Sequence, residues 1–388
     1  MKSIIVGNAN KKTDKISAAQ LDPFFRNRQL LRRELGLTFT HIQAVSITEI
    51  KQACQNINAD VEILFVRPDW RESADEVVQT MKTIHTANPG RKIFFIDPWD
   101  QVSSRFFGVL PYVDKLLKYQ RLKDVQQYKK PLLGGTMITD YLVREQGKDI
   151  YDWHVGSPVP NGYEDRIGTG WNVVTLRQFE TLLFKPLSWK LSNRQFRRKP
   201  KDVDVFCHLS YSSIHDKESW YTEYRMASVE AVKQMGSKYR LAVSGEFPEA
   251  RTVSSKQYRD EIERSRIVFS PFGWGETTWR DYEAVCYDSL LLKPNMDHID
   301  TAPNIYYPNE TYVPLKWDFS DLEEKCDFYL RNPDEAARII TNARRVLEGY
   351  FKQGEFVKTI ADLVIDKKTR TPVTAPLTSQ QPATSPVG

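Results

Sequence analysis

Between Ser265 and Pro294 the chain reads Ser-Arg-Ile-Val-Phe-Ser-Pro-Phe-Gly-Trp-Gly-Glu-Thr-Thr-Trp-Arg-Asp-Tyr-Glu-Ala-Val-Cys-Tyr-Asp-Ser-Leu-Leu-Leu-Lys-Pro. The apolar run Ile267 to Phe269 has the look of a buried strand. Pro271, Gly273 and Gly275 break it into a tight loop. Thr277 and Thr278 are good N-cap residues for a helix over Trp279 to Tyr287, and Leu290 to Leu292 reads as the next strand. Strand, glycine loop, helix and strand make a βαβ unit, whose strands must lie parallel in one sheet. The start of its helix presents backbone N–H groups, an anion site suited to a diphosphate. Arg280 and Glu283 sit three apart on one face of the first turns.

The same alternation runs through the rest of the chain. Strands are predicted over Ser3–Val6, Phe39–Val45, Val61–Val66 and Lys92–Ile96. Between them lie a basic amphipathic helix over Pro23–Leu35 ending at Gly36, a helix capped by Thr48, and one over Ser73–Thr86. Glu145 to Gly170 is polar and rich in Gly, Pro and Asp, a long excursion or lid. The basic cluster Arg194, Arg197, Arg198 and Lys199 marks the interdomain linker. Beyond it come strands at Val203–Leu209 and Tyr239–Val243, a helix over Tyr221–Met235, another over Ser255–Ser265, and then the unit above. The expected class is α/β, with Rossmann-like domains over 1–195 and 196–370. The last stretch, 371–388, holds almost no large apolar residue and cannot offset its ordering entropy, so it is expected to be disordered.

The run Pro271-x-Gly273-x-Gly275-x-x-Thr278-x-Arg280-x-x-Glu283-Ala284 resembles the donor-nucleotide motif of exostosin-like glycosyltransferases. More loosely, it is similar to that of the group 1 glycosyltransferases of the GT-B fold. The resemblance covers about the C-terminal half. It implies two Rossmann-like domains facing each other across a cleft. It also implies a hexosyl- or pentosyltransferase of polysaccharide biosynthesis, with a nucleotide-sugar donor and a glycan, lipid-linked or other hydroxyl acceptor. In these families the loop, here Gly273, Trp274, Gly275, Glu276, Thr277 and Thr278, approaches the diphosphate. The resemblance makes Glu283 the ribose ligand and Arg280 a charge partner near the phosphates. Arg225, on the first helix of the second domain, would help hold the diphosphate, or else pair with Glu223 on a solvated face. Ser210 joins the donor-binding set as a strand-end residue. The retaining group 1 pattern spaces two glutamates eight apart; the position eight before Glu283 is Gly275, and Glu276 is displaced by one. The resemblance therefore does not carry the donor-sugar role to Glu276. GT-B enzymes use helix N-termini and basic side chains on the diphosphate, so neither a metal nor another cofactor is expected. The plain alternative is a glycine loop that only makes a turn, with Arg280 and Glu283 as a surface ion pair.

Ligands of open α/β sheets bind beyond the C-terminal strand ends. In the first half that rule selects Asn8, Asn10, Arg67, Asp69, Asp97 and Asp100; in the second it selects Ser210, Tyr211, Ser212, Ser244 and Glu246. A sugar acceptor needs its hydroxyl deprotonated, and Asp97 and Asp100 are the candidate catalytic bases. Asp97-Pro98 equally suits a plain turn, with Asp97 accepting backbone bonds. Lys293, after the last strand of the motif, would face either the phosphates or solvent.

Composition excludes several other classes. The net charge of +5 over 388 residues suits an anionic ligand and falls short of a nucleic-acid signature. Cys54, Cys207, Cys286 and Cys326 are scattered without CxxC spacing, which argues against a disulfide scaffold and a zinc site. No stretch approaches the ~18 apolar residues of a spanning helix, and the apolar start at Ile4 is too short for a signal peptide. A cytoplasmic protein is expected. The basic helix with Arg26, Arg28, Arg32 and Arg33 beside Phe24, Leu30 and Leu31 either packs on the core or docks peripherally on the inner membrane face.

Two rivals stay open at the level of sequence. One is a degenerate GT-B module that binds nucleotide or glycan without catalysis. The other is a dinucleotide enzyme, but Gly7-Asn8-Ala9-Asn10 lacks the G-x-G-x-x-G spacing after the first strand.

Overall fold

The structure, a computed structural model, describes residues 1–172, 179–184, 200–209, 220–244 and 253–365. The linker cluster Arg194–Lys199, the strand-end residues Ser210, Tyr211, Ser212 and Glu246, and the tail 371–388 lie outside the described residues.

Alternating apolar runs and capped helices fold into two separate parallel sheets. The first half supplies strands β1 (Lys2–Gly7), β2 (Thr38–Gln43), β3 (Ile63–Arg67), β4 (Lys92–Ile96), β5 (Lys115–Lys118), the short β6 (Gln120–Leu122) and β7 (Ile167–Thr169). Its helices are α1 (Lys15–Arg26), α2 (Arg28–Leu35), α3 (Ile47–Gln55), α4 (Ala74–Ala87) and α5 (Met137–Arg144). The sheet order is β2-β1-β3-β4-β5-β7, with every pair parallel. β3 is buried at every residue, as a central strand with helices on both faces must be.

The second half adds β8 (Val203–Cys207), β9 (Leu241–Val243), β10 (Ser265–Phe269), β11 (Leu290–Pro294), β12 (Ile299–Thr301) and β13 (Val313–Leu315). Helices α6 (Trp220–Gln234), α7 (Ser255–Arg264), α8 (Trp279–Cys286), α9 (Leu322–Arg331), α10 (Pro333–Lys352) and α11 (Glu355–Val364) pack around it. The order β13-β11-β10-β8-β9 is again parallel throughout. These are the two Rossmann-like units that the alternation predicts.

Several links among the described residues hold the halves together. β6 pairs antiparallel with β12, placing Gln120 opposite Thr301 and Arg121 opposite Asp300, and Arg121 forms an ion pair with Asp300 at 2.7 Å. Asn172 donates to Thr301 Oγ1 at 3.1 Å. The C-terminal helix α11 returns to the first half, where Phe356 meets Phe24 (5.2 Å, 88°) and Trp171 (4.9 Å, 84°) edge to face.

The expected single helix over Pro23–Leu35 is two helices. Asp14 caps α1 by accepting from the backbone N–H of Ile16 and Ser17, so Pro23 lies inside α1. The chain breaks at Asn27, whose side-chain amide donates to the Pro23 carbonyl at 2.8 Å. Leu21, Phe24 and Leu31 are buried, so the apolar stripe faces the core. Of its basic residues, Arg26 is half-buried and pairs with Asp22 at 2.9 Å, and the exposed Arg28 lies 4.4 Å over the Phe39 ring. Ser46, not Thr48, caps α3, because its hydroxyl reaches the Glu49 N–H. All four cysteines are buried free thiols. Among the described residues no helix is long and apolar enough to cross a membrane.

Candidate functional site

The loop between β10 and α8 is built on one buried carboxylate. Thr278 has extended backbone geometry and caps α8, and Asp281 three residues on completes a capping box. Asp281 accepts from the Thr278 N–H (2.8 Å), Ser270 Oγ (2.6 Å) and the Tyr306 hydroxyl (2.7 Å). Lys293 lies 3.2 Å away and is fully buried with it. Lys293 thus faces neither phosphate nor solvent. Burial pulls its ammonium down, and Asp281 opposes that fall.

The tip of the loop meets the first half. Gln120 Nε2 donates to Glu276 Oε2 at 2.8 Å and also to the Asp100 carbonyl, while its Oε1 accepts from the Thr277 N–H at 2.8 Å. Gly275 is a close-approach position: a Cβ there would stand 2.0 Å from the Asp100 carbonyl oxygen. The C-terminal strand ends of the two sheets therefore face each other, one half contributing Asp100 and the other Gly275–Thr277. The N-terminal donors are less free than the loop alone implies. The N–H groups of Gly273, Thr277 and Thr278 are taken by Gly275, Gln120 and Asp281.

Burial raises the carboxyls at this junction. Glu276 is 1% exposed, and its Oε1 has no hydrogen-bond partner among the described residues. Burial pushes it up to about 7, and the neighbouring Asp100 adds to the rise. Protein packed around Asp100 strips water from its carboxyl and pushes it up to about 6, although the residue keeps an open face to solvent. Asp97, the other candidate base, is fully buried beneath them. Its Oδ1 accepts from Ser104 at 2.6 Å and its Oδ2 pairs with the equally buried Lys118. Both oxygens are committed, so Asp97 is an internal ion pair at the strand end and is not placed to take a proton from an acceptor.

The helix residues separate. Arg280 does not pair with Glu283; it turns inward and donates to the His208 carbonyl at 2.7 Å, fastening β8 to α8. Glu283 is half-buried, accepts from the Tyr258 hydroxyl at 2.8 Å, and is pushed up by burial. Arg225 bonds the Tyr221 hydroxyl and lies 4.8 Å over its ring. Tyr221 in turn stacks on Trp274 (4.8 Å, 16°), and Trp153 of the first half lies nearly parallel on it (6.0 Å, 25°). The long excursion thus docks on the glycine loop. Ser210 falls outside the described residues. Among the described residues no three His, Cys, Asp or Glu side chains are grouped to hold a metal ion.

Gln120, Asp281, Tyr258 and Trp153 were not singled out from sequence. The Thr278-x-x-Asp281 spacing was the available signal for Asp281. Gln120 offered none, standing 156 positions from Glu276.

Residues 225–357 match the family model described as "Glycosyl transferase-like". The match is of the group 1 type, falls on the segment that carries the motif, and does not distinguish an exostosin-like character. No curated protein matches the chain in sequence. Among solved structures, a Staphylococcus aureus MnaA–UDP co-structure is similar at 9% identity and TM-score 0.44, over 94% of this chain and 98% of that one. A glycosyltransferase from Rickettsia africae is similar at 11% identity and TM-score 0.47, over 93% and 97%. The pneumococcal O-GlcNAc transferase GtfA with UDP and GlcNAc is similar at 10% and 0.40, over 82% and 60%.

Proposed function

We propose that this chain moves a sugar from a nucleotide-sugar donor to a hydroxyl acceptor, with the donor on the second half and the acceptor on the first. One observation carries the proposal. The loop and helix of the segment that matches the glycosyl transferase-like model sit at the strand ends of their sheet, against Asp100 of the opposite half. That is where an open α/β sheet binds ligands.

In this account Glu283 receives the ribose hydroxyls. It is half-buried, and Tyr258 fixes its rotamer. Asp100, open to solvent and raised to about 6, accepts the proton of the acceptor hydroxyl as that oxygen bonds to the sugar carbon. The bond from that carbon to the diphosphate oxygen breaks, and its electron pair leaves with the diphosphate. Glu276, raised to about 7, carries a proton near neutrality and sits beside the leaving group as a donor rather than a second negative charge. No metal and no cofactor enter this account; the remaining N–H groups at the start of α8 supply the positive field.

A second reading has its own support. Gln120 and the Asp100 backbone occupy Glu276, Thr277 N–H and the space over Gly275. A chain sealed in this way would bind nucleotide or glycan weakly and transfer nothing. The test is a thermal-shift panel of nucleoside diphosphates and sugar nucleotides, followed by donor hydrolysis. A ligand that binds only the folded state must raise the melting temperature. Stabilisation with turnover supports transfer, stabilisation without turnover supports the binding module, and no stabilisation by any nucleotide removes both.

A further inference from the structure

A pocket of about 260 Å³ opens in the first half, between the turn that follows β6 and the excursion after α5. Its wall continues along the chain from the junction just described. Val102 and Ser103 form one wall, two and three residues beyond Asp100. Tyr128 lines the pocket, donates its hydroxyl proton to the Val102 carbonyl at 2.8 Å, and lies close enough to Glu276 to sense its charge. Val102 and Tyr128 thus connect the pocket wall to the junction that holds Asp100 and Glu276.

Two glycines shape the pocket. Gly135 (φ +84°) lets the Val155 carbonyl approach to where a Cβ would be only 1.6 Å away. Gly156 (φ +123°) does the same for Ser103 Oγ, at 2.2 Å. Both have backbone conformations that other residues rarely adopt, so the walls are fixed by glycine at two independent points.

The charge of the lining is one-sided. Lys129 and Lys130 come from one segment, His154 adds a ring N–H from another, and the lining contains no carboxylate. Lys129 is partly balanced by Glu164 at 3.9 Å; Lys130 has no ion-pair partner among the described residues. The rest is largely apolar, with Phe107, Pro131 and Val159. The hydroxyls of Ser103 and Ser157 and the rings of Phe107 and Tyr128 suit the hydroxyls and carbons of a sugar. The lysines, with no carboxylate opposite them in the lining, favour a compact sugar that also bears a negative charge.

We infer that this pocket binds the acceptor, and that the acceptor carries an anionic group, a phosphate or a carboxylate, held by Lys130 and His154 while its reacting hydroxyl reaches toward Asp100. The inference rests on the transfer account above and names the substrate class of its acceptor side. The volume suits one charged monosaccharide unit.

The test is titration calorimetry on the full chain with glucose, glucose 6-phosphate and glucuronate, comparing wild type with the Lys130→Glu/His154→Glu variant. UDP binding is measured on the same samples. Glucose 6-phosphate or glucuronate should bind wild type at least about tenfold more tightly than glucose, and the variant should lose that margin while binding UDP unchanged. Whichever anion binds more tightly identifies the charged group. Equal binding of glucose, no binding of either anion at millimolar concentration, or an undiminished margin in the variant overturns the inference. A wild type that binds the anionic sugar but no nucleotide would sink the donor account and leave this pocket standing.

Discussion

The side-chain amide of Gln120 reaches from the first sheet's side of the molecule to Glu276 in the glycine loop of the second, at 2.8 Å. One amide thereby serves both halves, because its oxygen also takes the Thr277 N–H at 2.8 Å. Replacing Gln120 by Leu keeps the bulk and strands Glu276 Oε2, the Thr277 N–H and the Asp100 carbonyl together. Buried groups left unpaired in this way cost about 1–3 kcal/mol each, so a loss of about 2–4 kcal/mol is expected after partial rehydration. Chemical denaturation of wild type and variant measures it; a change below about 0.5 kcal/mol would mean the contact is not maintained in solution.

Glu276 makes stability depend on pH. Its carboxyl stands at about 7 in the folded chain against an ordinary 4.5. Between those values the folded state holds more protons than the unfolded one, so stability falls as pH rises through this window and stays low above it. At roughly 1.4 kcal/mol per unit, the ceiling of this effect is about 3 kcal/mol. Glu276→Gln mimics the protonated form. It should flatten the fall between pH 4.5 and 7 and melt above wild type at pH 8, read by calorimetry across that range. Superimposable melting curves for the two proteins would show that Glu276 ionises freely.

Gly275 tests how tightly the halves are closed. Its absent Cβ leaves room for the Asp100 carbonyl at 2.0 Å and the Gln120 amide at 2.7 Å. Backbone cannot yield to a methyl group at that distance. Gly275→Ala should cost about 1–3 kcal/mol and separate the strand ends, visible as a larger radius in small-angle scattering. A variant with unchanged stability and radius would mean that the glycine serves a ligand alone.

Much of this architecture was legible in sequence, because buried parallel strands announce themselves as apolar runs. Ile267–Phe269 and Leu290–Leu292 fall within β10 and β11, and Trp279 begins α8 as its threonine cap requires. Local reading failed where a competing cap existed, as with Ser46 before Thr48 and Asp14 upstream of Pro23. It also failed wherever side-chain direction depended on the other half. Asp97 and Lys293 have residue types and positions that suit chemistry, yet each is consumed by a buried partner, Lys118 and Asp281. Arg280 and Glu283 share a helix face, but a carbonyl from β8's end draws the first inward and Tyr258 holds the second. No spacing rule encodes such long-range partners.

The donor account stands or falls on Glu283. Its carboxylate, steadied by Tyr258 at 2.8 Å, can accept from both ribose hydroxyls, whereas an amide offers one acceptor oxygen. A charge-assisted bond contributes roughly 1.5–3 kcal/mol, so Glu283→Gln should bind a nucleoside diphosphate about ten- to a hundredfold more weakly with its melting temperature nearly unchanged. Arg280 is a poor companion for this test, since its loss would also release the His208 carbonyl. Titration calorimetry of wild type and Glu283→Gln with uridine, guanosine, adenosine, cytidine and thymidine diphosphates is the direct measurement. The account predicts that at least one binds wild type and that the variant loses most of that affinity. Equal affinity in the two proteins, or no binding to wild type by any of the five, would contradict it.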